Sequence, residues 1–127
     1  MIGADGWDGV KVGENAEAFN KCYFTNHYTP EDPSEVVQNF VKSYTAKFGT
    51  ESLNVFSALG YDSAYMLAQA INDAKSDDTA AIIAAMSKIN FKGVTGTFTL
   101  DENGDPKKGA PIIEFKDGKT VWNTTVE

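Results

Sequence analysis

Apolar positions along this chain fall into three helical blocks set between short alternating runs. The longest block, Asn54 to Lys75 (NVFSALGYDSAYMLAQAINDAK), repeats apolar residues at steps of three and four, the period of one helix face. Phe56, Gly60, Ala64, Leu67, Ile71 and Ala74 form one stripe, and Val55, Leu59, Met66 and Ala70 a second beside it. Two apolar stripes need cover on two sides, which predicts a place inside a layered α/β body. Gly60, Ala64 and Ala68 are small enough to let another backbone come close. Phe56 falls in the first turn and is expected to look out of the N-terminal end of the helix, where a ligand-facing residue would lie.

The other two blocks have their own start signals. The break Thr29–Pro33 (TPEDP) is followed by a helix over about 33–48, for which Asp32 is the expected cap, Pro33 the first position and Glu35 the other half of a capping box. Val37, Phe40, Val41, Tyr44 and Phe48 share one face of it, and Gly49 is the expected left-handed stop. Asp77 or Asp78 caps a third helix over about 78–89, with Ile82, Ile83, Met86 and Ile89 as its apolar residues. Aromatic and β-branched runs predict strands at Cys22–Tyr28 and Gly93–Leu100. Pro111–Phe115 and Thr120–Val126 flank Asp117-Gly118, the signature of a β-hairpin. Val10–Asn20 is mixed and reads as a short helix or a loop.

Composition narrows the function classes. A chain of 127 residues is one domain's worth, and its net charge of −7 argues against nucleic acid or an anionic membrane surface as partner. Cys22 is the single cysteine, so an internal disulfide and a cysteine-based metal site are excluded. No apolar run approaches the roughly 20 residues that span a bilayer. The opening MIGADGWDG has neither a basic nor an apolar leader region, so no signal sequence is read in this chain, and Met1-Ile2-Gly3 reads like the last residues of a buried strand.

Candidate chemistry is sparse. Ile2 to Asp8 reads as a strand end running into a Gly-rich loop, and ligands of open α/β sheets bind beyond the carboxyl ends of strands, which places Asp5 and Trp7 where a site would be. The alternative is a plain surface turn in which Asp5 bonds its own backbone. The loop lacks the G-x-G-x-x-G of dinucleotide sites. His27 is the only histidine and has no second ligand for zinc nearby, so it is read as a structural residue at a strand end. Asp101–Pro106 (DENGDP) begins like a calcium loop but has Pro106 at the position that needs glycine and Ile112 at the position that needs glutamate. No nucleophile stands beside a histidine and no glycine loop could cradle a phosphate, so an enzyme is not expected, nor any cofactor or metal.

Five segments in order, GADGWDG, YFTNHYTPEDP, NVFSALGYDSAYMLAQAI, FKGVTGTFTLDENGDP and IIEFKDGK, together resemble the C-terminal part of the branched-chain amino-acid binding proteins of ABC importers. These are type I periplasmic binding proteins of the leucine/isoleucine/valine kind. The resemblance implies an α/β fold, a fragment of two Rossmann-like lobes joined by three crossovers, with three helices, short strands and a C-terminal β-hairpin. It implies that residues 1–28 are a piece of the C-terminal lobe, 29–109 a piece of the N-terminal lobe, and 110–127 a return to the C-terminal lobe. TPEDP and Lys107-Lys108-Gly109 would be two of the crossovers.

The resemblance also implies roles. Asp5 matches the acidic residue that pairs with the α-ammonium group of an amino acid, because a buried cation needs a counter-charge. Phe56 matches an aromatic that packs on the ligand's side chain. Trp7 is added as a further wall of that pocket. The family's α-carboxylate site has no counterpart in this chain, and most parallel strands of both lobes are absent. A partial chain with weak or no ligand binding of its own is therefore expected, its exposed helix faces covered by self-association into a homo-oligomer. The parent would be a non-catalytic solute receptor, periplasmic or an extracellular membrane-attached lipoprotein, that delivers an amino acid to an ABC permease. The alternative is a self-associating interaction module with no transport role.

Overall fold

The structure is a computed structural model that describes residues 1–127. In chain order it comprises β1 (Ile2–Gly3), 3-10 turns at Asp5–Trp7 and Gly13–Asn15, α1 (Ala16–Phe19), β2 (Tyr23–Thr25), α2 (Glu35–Phe48), α3 (Val55–Ala74), α4 (Thr79–Met86), β3 (Asn90–Gly93), β4 (Gly96–Leu100), β5 (Pro106–Lys107), β6 (Ala110–Lys116) and β7 (Lys119–Val126). The expected α/β class is what forms, with four helices in place of three because a single turn, α1, occupies the mixed segment before β2.

The strands make two sheets. One has the order β1-β2-β6-β7, with β1 and β2 parallel and the other pairs antiparallel; the second is an antiparallel sheet in the order β3-β4-β5. The chain leaves the first sheet after β2, builds α2, α3, α4 and the second sheet, and returns through Lys108-Gly109 into β6. Each half has its own apolar centre. Phe24, Ile113, Phe115, Cys22 and Val12 pack together on the first sheet. Tyr28, Val37, Phe40, Val55, Ala58 and Val94 pack where α2 and α3 meet the second, and Ile89, Phe91 and Phe98 form a smaller cluster beneath it. The β6–β7 turn forms as expected, with Asp117 at φ 51° and Gly118 at φ 77°, the two positive values such a tight turn requires.

Several expectations are corrected. Asp32 does not cap α2: its carboxylate accepts the N–H of Ser34 at 2.8 Å, closing a turn of its own, so Ser34 is the cap residue and Pro33 lies outside the helix. Gly49 ends α2 at φ 77° and ψ 178°, an extended glycine conformation and not the left-handed helical one. Of the two candidate caps for the third helix, Asp78 is the one used, accepting Ala81 N–H at 3.0 Å, and the helix stops at Met86, so that Ile89 is buried in the approach to β3. Ile2 is in a strand, but it is 81% exposed and not buried.

The largest correction concerns α3. The stripe of Val55, Leu59, Met66 and Ala70 is buried or half-buried, as a core face should be. The other stripe faces outward: Phe56 is 55% exposed, Leu67 47% and Ile71 40%. Two apolar stripes do not make two covered sides here: Phe56, Leu67 and Ile71 are left to solvent. The cap of α3 is a reciprocal box, in which Asn54 Oδ1 accepts the N–H groups of Phe56 and Ser57 and Ser57 Oγ accepts the N–H of Asn54.

The run Gly93–Leu100 is also not one strand. It bends at Val94-Thr95 into the β3–β4 hairpin, because Asp62 of α3, 4% exposed, accepts the N–H of Val94 at 2.9 Å and of Thr95 at 2.7 Å. Lys108 Nζ donates to Thr95 O at 2.8 Å and lies 5.4 Å from the Phe98 ring centre. Burial lowers the Lys108 pKa, and the nearby Asp62 charge works against that fall. Gly93 is required here by space: a Cβ would stand 2.4 Å from the Phe91 ring and 2.5 Å from Asp62 Oδ2. Asp62→Ala, which strands two buried amides, is expected to cost about 3 kcal/mol. Gly93→Ala should cost about 1–3 kcal/mol by crowding. Urea denaturation measures both, and a loss below about 0.5 kcal/mol for Asp62→Ala contradicts this role for the carboxylate.

Candidate functional site

The candidate residues come from two places in the chain that the fold joins. Gly3 ends β1, and the chain turns at once through Asp5–Trp7, so Asp5 stands beyond the carboxyl end of that strand. The indole of Trp7 lies over the backbone of Gly3, where a Cβ would come within 2.4 Å of it. It also packs on Phe19 and Phe115, with ring centres 6.2 and 6.1 Å away. Trp7 is therefore anchored in the first sheet's apolar centre and half-buried, a firm backing for the loop that presents Asp5.

Phe56 comes from the other half of the fold. Its N–H is taken by Asn54, and its ring stands exposed in the first turn of α3. The link between the two places is Asp8, which the sequence did not single out. Asp8 Oδ2 accepts the N–H of Val55, the residue before Phe56. A carboxylate at the start of a 20-residue helix satisfies an orphan amide and meets the positive end of the helix dipole. Burial raises the pKa of Asp8, while the Val55 amide, the Asn26 side chain and the Gly9 amide pull it back. Burial also pushes up the Tyr28 hydroxyl, with the Asp8 charge adding to it. On the surface, Lys11 and Glu51 make a second tie at 2.7 Å, fully solvated and of little energetic weight.

His27 was read as structural, and the structure gives it a partner. Its Nε2 lies 3.4 Å from Asp5 Oδ2, with the two side chains 38% and 37% exposed. Its backbone N–H donates to Asn26 Oδ1 at 2.9 Å. His27 also borders a cavity of about 770 Å³ between the two chain crossings, which reaches Lys92, Lys108 and Trp122. Asp5, Trp7 and Phe56 do not line that cavity. No cluster of three or more His, Cys, Asp or Glu side chains is arranged to hold a metal ion, and no helix is long and apolar enough to cross a membrane.

Neither Asp8 nor His27 carried a sequence motif. A helix start needs an acceptor for its free amides, but Asn54 already supplied one, so nothing in the spacing asked for a second from a residue 47 positions away. His27 meets Asp5 only because β1 and β2 run parallel, with Gly3 beside Phe24.

A family model described as periplasmic binding protein matches residues 1–120. Among curated proteins, the chain is 28% identical over 90 residues to a Leu/Ile/Val-binding protein homolog of Brucella abortus, covering 67% of this chain and 23% of that protein. Among solved structures, the leucine binding protein LivK of Thermotoga maritima superposes with a TM-score of 0.83 at 33% identity, covering 98% of this chain and 36% of that one. LivJ of Streptococcus pneumoniae, solved in complex with isoleucine, gives 0.75 at 26% identity over 98% of this chain and 35% of its own. The chain thus spans about a quarter of the curated relative, at 23%, and about a third of the solved structures, at 36% and 35%.

The raised pKa of Asp8 fixes the sign of a pH effect. A carboxyl whose folded value is raised stabilises the fold fully below its unfolded value, and that contribution fades as pH climbs through the folded value. The stability of the wild type relative to Asp8→Asn is therefore expected to be greatest near pH 3 and to fall toward about pH 7 in thermal denaturation. Asp8→Ala, which leaves the Val55 amide without an acceptor, should cost about 1 kcal/mol, the usual value of a lost helix cap. A wild-type-to-Asn difference that does not change with pH contradicts the assignment.

Proposed function

Because the chain belongs to the periplasmic binding protein family, we propose that it carries the amino-acid-contacting part of a branched-chain amino-acid receptor of an ABC importer. In this reading residues 1–28 and 110–127 belong to one lobe and 29–109 to the other. Asp5 pairs with the ammonium of leucine, isoleucine, valine or a similar amino acid, and Phe56 packs on its side chain. Trp7 backs the Asp5 loop as a wall of the pocket. The observation that most supports this is a tie between the two chain segments: Asp8, three residues after Asp5, accepts the N–H of Val55, the residue before Phe56.

The mechanism is capture without bond chemistry. A zwitterion touching both halves favours the closed arrangement by its differential contacts, and the closed form docks on the permease. A carboxylate at Asp5 is the chemically apt partner for an ammonium leaving water, since an unpaired charge there would be strongly disfavoured. The receptor as a whole works in the periplasm, or outside the cell as a lipoprotein held at the membrane. This chain alone is expected to bind weakly or not at all.

The test uses a chimera in which this chain replaces the matching third of the Thermotoga maritima leucine binding protein. The chimera is expected to bind leucine in a calorimetric titration, and Asp5→Ala to weaken it about a hundredfold, the worth of a charged hydrogen-bonded pair. Affinity that survives Asp5→Ala within a few-fold defeats the site assignment.

A second reading, self-association, is favoured by the outward stripe of α3, where Phe56, Leu67 and Ile71 stand exposed beside Tyr61 and Tyr65. Exposed apolar side chains on one helix favour cover by a second copy. Sedimentation of the isolated chain at micromolar concentration should report a dimer or larger. A clean monomer there contradicts it.

A further inference from the structure

We infer that His27 is the resident counter-ion of Asp5, the cation that an incoming ammonium has to displace. The inference deepens the proposed function and rests on its reading of Asp5 as the ammonium partner. Three observations carry it. The parallel pairing of β1 and β2 sets the ends of both strands side by side, which brings the imidazole Nε2 to 3.4 Å from Asp5 Oδ2. Both side chains keep more than a third of their surface in solvent, at 38% and 37%, so the pair can be reached and parted. The His27 main chain is held by Asn26 Oδ1, so the ring swings from a fixed base.

The chemistry follows from charge. A protonated imidazole and an alkylammonium both answer the same carboxylate, and two cations cannot share it without repulsion. Only a charged imidazole competes with an ammonium for a carboxylate, and histidine as a residue type is the one whose ordinary range of titration includes physiological pH. Asp5 is the carboxylate that faces it from the β1 loop. From the other elements around the same cavity, Glu31, Asp32, Lys92, Lys107, Lys108 and Glu127 are the charged groups, of mixed sign. Amine capture is therefore expected to be weaker wherever the His27 ring carries its charge. His27 is a positioning residue here, acting on the ligand through Asp5.

The experiment has two arms, the first on this chain as it stands and the second on the chimera described above. Because His27 is the only histidine, its ring Cε1–H resonance is an unambiguous probe. At about pH 5.5, where an ordinary imidazole is mostly charged, that resonance is expected to move on Asp5→Asn. An unmoved resonance overturns the inference, whatever the ligand does. In the second arm L-leucine is titrated calorimetrically into the chimera at about pH 5.5 and about pH 8, where its apparent affinity should be about fivefold weaker in acid, the scale of one solvent-screened charge pair at contact. His27→Gln should remove that pH dependence, and His27→Lys, a fixed cation, should keep the weak value at both pH values. A fivefold change that persists in His27→Gln overturns the inference. A chimera that binds no leucine at either pH, with the response to Asp5→Asn intact, defeats the amino-acid reading and leaves the His27–Asp5 pairing standing.

Discussion

The carboxylate of Asp8 on the first amide of α3 is the hydrogen bond that ties together the two chain segments bearing the candidate residues. One half of the fold supplies a loop at the end of a parallel strand, and the other supplies a helix start. Without an acceptor at Val55 N–H, nothing hydrogen-bonded would tie the Asp5 loop to the residue beside Phe56. The helix needs the acceptor because its opening amides have no partners within the helix. The loop is stiff enough to supply it because Trp7 is wedged on Gly3 and between the rings of Phe19 and Phe115. A packing preference and an unsatisfied amide thus meet in one hydrogen bond, and the candidate ligand contacts lie on either side of it.

A second carboxylate does similar work inside the other half. Asp62 stands on the otherwise apolar buried face of α3, which would be unfavourable without partners. It gains two, the amides of Val94 and Thr95, and in return fixes the hairpin against α3. Lys108 closes the same corner from the segment that crosses back to the first sheet. Asp8 thus ties the two halves to each other, while Asp62 and Lys108 brace the second half from within.

Much of this was legible in the sequence. The period of α3, the Asp117-Gly118 hairpin and the family resemblance all follow from local patterns, and the superposition on LivK at a TM-score of 0.83 agrees with the resemblance. What escaped was whatever depends on distant partners. Asp32 looked like a cap until Ser34 took its carboxylate. Gly93–Leu100 alternated like one strand because nothing local reveals that Asp62, more than 30 positions earlier, folds it at Val94-Thr95. The two stripes of α3 were real, but periodicity says only that a face is apolar and not what covers it. Asp5 and Phe56 stood out by position, beyond a strand end and in a first helical turn, and the resemblance gave them roles, while Asp8 carries no motif and the partners of Asp8 and His27, Val55 and Asp5, became visible only in three dimensions.

The most direct measurement is a crystal structure of leucine bound to a two-lobed receptor that contains this chain. The ammonium is expected within about 3 Å of the Asp5 carboxylate, the reach of a charge-assisted hydrogen bond, with the isobutyl group against the Phe56 ring. A ligand whose ammonium is answered by some other group, with Asp5 turned away and Phe56 untouched, contradicts the assignment.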